Sequence, residues 1–464
     1  MRNILHLNII IFNLSFCALE RDSSATLGMT VWKNMQTFIK DLSNKVGEEV
    51  TLKGWLYNKR SSGKIAFLEI RDGSGFTQAV AVKESLPEEV WEEIDKLTQE
   101  SSLEVVGTVS KHPKQEGVYE LQVSKLSSYQ VASDYPIVLK DHGPEFLLDN
   151  RHLWLRSKKQ WAILRIRHLV KAGLQDYFNS NDYVELDTPI FTPTSCEGTT
   201  DLFEVEYFDR KAYLTQNGQL YLEAMCMSFG KVYDLCPNFR AEKSKTRKHL
   251  TEFWSLNPEI AFIEHEESLK IQEASLKHVV KYVLDHGREE LVLLERDLTE
   301  LQAIVDKPFV HYEYGDAIIE LKKRGSDIEY GHDLGADDEE LLTKDSDVPV
   351  IVKNWPKNIK PFYMKGHQTD PTLVLNADIL APRGFGEIVG GSQREDDYET
   401  ILTNIKAAGL PVETFEWYLD LRKYGSVPHC GFGIGIERTT RWIAGIHHIR
   451  ETIPFPRMLN RLEP

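Results

Sequence analysis

Residues 46–131 alternate between apolar and polar positions in short runs, as in Val50, Leu52 and Leu56 and then Ile65, Phe67 and Leu68. Alternation of period two predicts strands. Further strands are expected over 103–109 and 119–123, with the turn Arg71-Asp72-Gly73-Ser74-Gly75 between two of them and one helix over 87–98. Five short strands and one helix predict a small closed barrel. Residues 133–153 lose the pattern and carry Pro136, Gly143 and Pro144, as a linker does. The period then changes: Ile163, Ile166, Val170, Leu174 and Tyr177 form a helical stripe, followed by a strand over 183–186 that stops at Pro189. Beyond it the pattern predicts a polar loop over 194–200, a helix over 221–229, strands over 232–242 and around 252–254, and mainly helix over 264–304. A polar acidic run at 331–347 reads as surface helix and loop, and strands are expected over 348–352 and 361–365.

The last apolar alternation is the most informative. In GFGIGIER, at 431–438, Gly431, Gly433 and Gly435 alternate with Phe432, Ile434 and Ile436. Such a strand has an apolar face and a bare one, on which a planar group can come close to the backbone. Arg438 follows at the expected start of a helix carrying Trp442, Ile443 and Ile446. A cation beside a flat strip suits a nucleotide with its phosphates, although the same glycines would also allow tight helix packing. Two further segments carry chemistry. The run from Lys243 to His249 is strongly basic and lies between two expected strands, where it could bind polyphosphate or an RNA backbone. The glycine-rich run 384–391 encloses Glu387 and follows Asp378, two hard oxygen donors of the kind magnesium takes, with Arg394 just beyond. On the barrel, Arg60, Phe67 and Gln78 offer a cation, an aromatic platform and an amide for a single-stranded nucleic-acid loop, as barrels of the oligonucleotide-binding type do.

Composition narrows the setting. The chain has 464 residues, enough for two or three domains, with 41% hydrophobic and 27% charged residues. Its formal net charge of -16 excludes a generally basic nucleic-acid coat but leaves room for local basic patches. Cys17, Cys196, Cys226, Cys236 and Cys430 form no CxxC pair, which points to reduced thiols in the cytoplasm and to no zinc site. The first residues hold a short apolar run with no clear small-x-small cleavage site, too short to span a membrane securely. Met29 opens what reads as a complete soluble chain, so residues 1–28 are expected to be a disordered extension or an over-extended start.

The helix and strand ending at Pro189, the FRAE…HLTEF hairpin and GFGIGIER stand in the order of motifs one, two and three of the class II aminoacyl-tRNA synthetases, and the chain resembles that family. With the N-terminal barrel it resembles the aspartyl, asparaginyl and lysyl group, and within it the bacterial-type asparaginyl-tRNA synthetases. The resemblance runs from about residue 46 to the C-terminus and includes WLYNKRSSGKIAFLEIRDGSG, NFRAEKSKTRKHLTEFW, GEIVGGSQRED and IRETIPFPR. It implies an α+β chain: an oligonucleotide-binding-fold anticodon domain at 29–134, then a catalytic domain at 135–464, with its linker at 135–153, built on an antiparallel sheet flanked by helices.

The resemblance also implies roles. Arg240 would hold the α-phosphate of ATP, Glu242 would read the adenine amino group and Phe253 would stack on the ring. His249 and Arg438 would grip the γ-phosphate, Gly433 and Gly435 would form the adenine floor, and Asp378 and Glu387 would hold magnesium. Glu197 and Gln219 would hold the substrate amino group and Arg394 the side-chain carbonyl, with Arg60, Phe67 and Gln78 facing the anticodon. Arg240, Glu387 and Arg438 would form the catalytic set. The implied reaction is ligation of L-asparagine to tRNA(Asn) by a cytoplasmic homodimer joined through the first motif. Aspartyl enzymes carry a lysine where Leu222 stands, which favours asparagine. The family usually has an acid where Asn257 stands and an arginine where Lys248 stands. The alternatives are an aspartyl enzyme, possibly one charging two tRNAs, and an inactive paralogue that only binds RNA.

Overall fold

The computed structural model describes residues 36–193, 202–243 and 249–463, which divide after Asp141 into two compact units. In the first, β1 (Glu49–Ser61), β2 (Ile65–Arg71), β3 (Phe76–Val82), β4 (Ser102–Lys111) and β5 (Tyr119–Gln130) close into a barrel in the order β1-β2-β3-β5-β4. Alternation dictates the interior: Leu52, Leu56, Ala66, Leu68, Ile70, Ala79, Leu103, Val105 and Leu121 are fully buried. The helix Glu88–Lys96 adds Trp91 and Ile94 to this core.

In the second unit part of the stretch read as linker is ordered: the short helices Pro144–Asp149 and Arg151–Trp154 lie within it. Arg151 is buried because its guanidinium donates to the carbonyls of Ile453 and Pro454 and to Gln160 Oε1. Beyond it stand β6 (Val184–Glu185) to β16 (His429–Gly435): β7 (Phe191–Thr192), β8 (Glu204–Tyr207) and β9 (Arg210–Leu214) form a small sheet. The main sheet has eight strands in the order β12-β13-β14-β15-β16-β11-β10-β6, with β10 (Lys231–Phe239), β11 (Glu252–Ala261), β12 (Val310–Glu313), β13 (Val350–Lys353), β14 (Asn376–Ala381) and β15 (Gly386–Gln393). Its middle pairs are antiparallel, and the outermost pairs, β12–β13 and β10–β6, are parallel.

The helices Lys158–Ser180, His265–His286 and Ile436–Ala444 pack Ile163, Val170, Phe178, Val279, Val283 and Trp442 against Leu256, Ile379, Val389, Phe432 and Ile434. Every second residue of the central strands is therefore committed to this core. The residues between them, Ser255, Asn257, Glu259, Asp378, Gly433 and Gly435, line a cavity.

Two expectations shift. Residues 361–365 form no strand: Met364 N–H closes a turn on Pro361 O, and Met364 makes only an isolated bridge with Arg394. The helix after GFGIGIER ends at Ala444, because Gly445 takes a left-handed conformation (φ 69°), and Ile446 lies beyond it.

His265 opens the helix His265–His286 and is only 5% exposed. Neither ring nitrogen has a hydrogen-bond partner among the described residues. Burial pushes its imidazole down to about 4, because a charged ring there would lose its hydration. The folded state thus holds His265 neutral where the unfolded chain would protonate it. The stability this gives is complete above pH 6.5 and is lost as the pH falls through 4. His265→Phe should therefore flatten the fall in urea-unfolding stability across that window by about 3 kcal/mol, and an unchanged slope would contradict the assignment.

Candidate active site

The polar face of the main sheet opens on a cavity of about 380 Å³. Its floor is β16, but the glycine strip is not bare along its whole length. A Cβ on Gly431 would lie 1.7 Å from Glu259 Oε2 and 2.5 Å from Arg394 Nη2, so an ion pair fills that space. At Gly433 the nearest atom would be Asn257 Oδ1 at 3.0 Å, and at Gly435 it would be the Arg438 side chain at 3.7 Å. The open floor is thus Gly433 and Gly435, both of which line the cavity.

The hairpin β10–β11 forms one wall through Asn238, Arg240, His249, Phe253 and Ser255. The Arg240 guanidinium lies 5.5 Å from the Phe253 ring centre, a cation held against an aromatic face. Glu242 stands apart: it lines an adjoining small recess with Arg240, His249, Leu250, Thr251, Met458 and Leu459 rather than the main cavity. The rest of the basic loop, including Lys248, lies outside the described residues, as does Glu197.

A second wall carries the carboxylates. Asp378 and Glu387 come from neighbouring strands, and their Oδ1 and Oε1 atoms would lie 3.5 and 3.4 Å from a Cβ on Gly390. Their other oxygens are bound to cations: Lys360 Nζ is 2.6 Å from Asp378 Oδ2, and Arg438 Nη1 is 3.2 Å from Glu387 Oε2. Burial pushes the Asp378 carboxyl up to about 6, with Lys360 opposing the rise and Glu387 adding to it. Burial would also raise Glu387, but Arg438, Lys360 and Arg240 outweigh it and hold that carboxyl below its usual range. Two partly buried carboxylates with converging oxygens, Asp378 at 14% and Glu387 at 37% side-chain exposure, fit a hard divalent cation open to the cavity. Asp333 and Glu339, from the acidic run at 331–347, also line the cavity.

The far end holds a buried charge network. Arg394 grips Glu259 with Nε and Nη2, each at 3.0 Å, and donates Nη1 to Ser392 Oγ at 2.8 Å. Burial opposes the guanidinium charge, but Glu259 and Glu223 raise its affinity for protons well above the usual value. Glu223 accepts from Gln219 Nε2 at 3.1 Å, Arg422 Nη2 at 2.7 Å and Tyr418 Oη at 2.7 Å, and its Oε2 lies 3.2 Å from His429 Nε2. Burial would raise its carboxyl, and Arg422, His429 and Arg394 instead hold it well below the usual range. Gln219 and Glu223 share a face of the helix Gln219–Phe229, four residues apart. Leu222 does not line the cavity: it is fully buried with Cys226, Val232 and Ala261, so it shapes the site only by bringing no charge to it. Asn257 donates Nδ2 to Asp234 Oδ1 at 2.6 Å, and Thr188 donates to Asp234 Oδ2 at 2.6 Å. Burial pushes the Asp234 carboxyl up, so an amide donor at 257 suits a position where a second acid would face it.

The model of tRNA synthetases class II (D, K and N) matches residues 143–459. The chain belongs to the class II tRNA synthetases. Residues 50–128 of this synthetase match the OB-fold nucleic acid binding domain. A solved asparaginyl-tRNA synthetase from Pyrococcus horikoshii, complexed with asparaginyl-adenylate, is 42% identical over 92% of this chain and 99% of its own, with a TM-score of 0.88. An Entamoeba histolytica asparaginyl-tRNA synthetase in complex with asparaginyl-adenylate is 32% identical over 90% and 97%, with a TM-score of 0.82. The aspartyl tRNA synthetase of the same organism is 27% identical over 92% and 93%, with a TM-score of 0.78.

The synthetase thus brings Arg240, His249, Phe253, Asn257, Gln219, Asp378, Glu387, Arg394, Gly433, Gly435 and Arg438 around a single cavity. Sequence reasoning missed Glu223, Glu259 and Lys360. Glu259 was readable as the next cavity-facing position after Ser255 and Asn257, and Glu223 as the position four after Gln219. Nothing local marks Lys360. On the barrel, Arg60 pairs with Phe67 and Glu69 with Gln78 across strands, so these side chains share its outer face. Phe67 lies between the inward Ala66 and Leu68 and is not part of the core. Gln78 Nε2 is 3.3 Å from Glu120 Oε2. No helix among the described residues is long and apolar enough to cross a membrane, and Cys226, Cys236 and Cys430 are free buried thiols. Glu259→Gln should leave the buried Arg394 charge short of its partner and destabilise this unit by about 3–5 kcal/mol in urea unfolding; a loss below about 1 kcal/mol would contradict the pairing.

Proposed function

We propose that this synthetase is an asparagine–tRNA ligase. The observation that carries the reading is the charge balance at the far end of the cavity, where Glu259 matches Arg394 and Arg422 matches Glu223. Among the described residues both guanidinium groups there already meet a carboxylate, so an aspartate side chain would bring a third carboxylate without a guanidinium of its own, and a buried unpaired carboxylate costs several kcal/mol or takes up a proton. A carboxamide adds no charge: its oxygen can accept from Arg394 and its amide hydrogens can be donated to a carboxylate. The relatives solved with asparaginyl-adenylate support the same choice. The aspartyl reading draws on the aspartyl enzymes among the similar structures. The binding-only reading is disfavoured because Arg240, Glu387 and Arg438 all line the cavity.

The substrate α-carboxylate is ionised at neutral pH and needs no general base. One of its oxygens bonds to the α-phosphorus of ATP as the bond from that phosphorus to the bridging oxygen breaks and pyrophosphate leaves. The hydroxyl of the terminal tRNA adenosine, usually the 3′ one in this class, then attacks the carbonyl carbon, loses its proton, and AMP departs. Both steps need positioning and neutralisation of growing charge. We assign Arg240 to the α-phosphate, His249 and Arg438 to the γ-phosphate, Phe253 and the Gly433–Gly435 floor to the adenine, and Glu242 to its amino group. Gln219 and Glu197 are assigned to the substrate amino group, and Arg394 to the side-chain carbonyl. Asp378 and Glu387 would hold magnesium, which when bound neutralises polyphosphate charge. Arg60, Phe67 and Gln78 are assigned to the anticodon of tRNA(Asn). We also propose a cytoplasmic homodimer joined through the helix Lys158–Ser180 and the edge strand β6, which leaves Val184 41% exposed.

ATP–pyrophosphate exchange should proceed with asparagine and not with aspartate, and exchange with aspartate alone would sink this reading. Arg438→Ala should slow the asparagine-dependent exchange more than about tenfold through loss of phosphate stabilisation, and a smaller change would remove Arg438 from its assigned role. Phe67→Ala should leave exchange intact and lower tRNA charging about tenfold, the effect of one lost base stack; equal losses in both assays would count against an anticodon contact.

A further inference from the structure

Lys360 is built into the carboxylate wall more firmly than a surface lysine would be. Its side chain is 11% exposed, its Nζ sits 2.6 Å from Asp378 Oδ2 and 3.9 Å from Asp333 Oδ1, and it lies 3.8 Å from the centre of the Trp355 ring. That ring is fixed in turn, since Trp355 Nε1 donates to Val352 O at 2.9 Å. The backbone holds the base of Lys360 as well, because Lys360 N–H closes a turn on Lys357 O at the end of the short helix Lys357–Ile359. A cation gripped by a carboxylate on one side and an aromatic face on the other is desolvated and has little freedom to leave.

The arrangement divides each carboxylate in two. Asp378 gives Oδ2 to Lys360 and turns Oδ1 toward the space above Gly390; Glu387 gives Oε2 to Arg438 and turns Oε1 to the same space. Each acid thus meets an incoming divalent ion with one oxygen and with its charge already offset. Asp333 is mostly exposed, so water screens its attraction for such an ion, and Glu339 Oε2 is engaged by Glu387 N–H at 3.4 Å.

We infer that Lys360 is a positioning residue that keeps the Asp378–Glu387 pair closed to a free divalent cation, so that metal enters only together with a polyphosphate whose own negative charge restores the balance. The inference rests on the reading of this cavity as a metal–nucleotide site and adds to it an order of binding: nucleotide and metal enter together, not metal first. A lysine that only braced the wall would have no effect of this kind on a bare ion.

The test is manganese binding to the nucleotide-free enzyme, followed by electron paramagnetic resonance, with ATP then added. The wild type should bind the bare ion weakly and gain strongly on adding ATP. Lys360→Met should bind the bare ion at least about tenfold more tightly, because a unit positive charge beside the site is gone, and should gain less from ATP. Lys360→Arg should behave as the wild type, and adding Asp378→Asn to Lys360→Met should abolish the gain, locating it at this pair. Unchanged or weaker binding of bare manganese by a folded Lys360→Met variant would overturn the inference, as would tight binding by the wild type. Lys360→Gln gives the same reading if the methionine variant does not fold. Asparagine-dependent pyrophosphate exchange by the wild type separates the outcomes: exchange without the manganese effect removes this inference alone, whereas absence of exchange removes the functional reading beneath it.

Discussion

The catalytic unit depends on a sheet that can be apolar on only one face. Leu256, Val389, Phe432 and Ile434 are buried under three helices, and the pleat then sends their neighbours to the other side. A slip of a single residue in β16 would put glycines under the helices and Phe432 and Ile434 into the cavity, so register and site are fixed by the same constraint. The cavity is the obligatory polar face of a strongly apolar core. This is also why residues as far apart in the chain as Asn257, Asp378 and Gly433 converge: β11, β14 and β16 belong to a single sheet and present alternate residues to the same side.

A polar face buried that deeply must settle its own charges, since an unpaired buried ion costs several kcal/mol. Here the settlement is nearly complete and is specific in its partners. Glu259 meets Arg394, Glu223 meets Arg422, Glu437 meets Arg167, and Asp378 meets Lys360. The Glu437 pair also ties the helix Ile436–Ala444 to the helix Lys158–Ser180 and caps Trp254 N–H at 3.0 Å, so it braces the floor from beneath. Desolvation raises the cost of any rearrangement, which keeps these side chains where a ligand will need them.

Much of this was legible in the sequence, for physical reasons. Period-two alternation marked the barrel and β16, the stripe from Ile163 to Tyr177 marked its helix, and the glycine-rich run marked Glu387. What failed was tied to tertiary context. Residues 361–365 are apolar enough for a strand, but Pro361 lacks an N–H and the segment is held as a turn, which presents Tyr363 to the cavity just after Lys360 at the end of the short helix Lys357–Ile359. The acidic run at 331–347 is the surface helix and loop that its composition predicts, with Ala336–Thr343 helical, but nothing local marks Asp333 and Glu339 as acids that also line the cavity. Gly431 read like Gly433 and Gly435, yet its missing side chain serves an ion pair supplied by strands far away in sequence. Leu222 marked the right turn of the right helix, but the group that acts there is its neighbour Glu223, on the face shared with Gln219.

The two ends of the cavity handle charge in opposite ways, and the difference suits what each is proposed to accept. At the far end the protein has balanced itself: Arg394 is engaged on three of its donor positions by Glu259 and Ser392 before any ligand arrives, and its side chain is 4% exposed. On the proposed reading such a site rewards a neutral, hydrogen-bonding group, since the charges there are already paired among the described residues. At the near end Arg438 is 26% exposed and shares Glu387 with the cavity, so it can turn toward a polyphosphate without leaving a sealed carboxylate behind. A ligand that is neutral at one end and multiply anionic at the other reads both halves at once. Leu222, fully buried outside the cavity lining, brings no mobile cation of its own to that end.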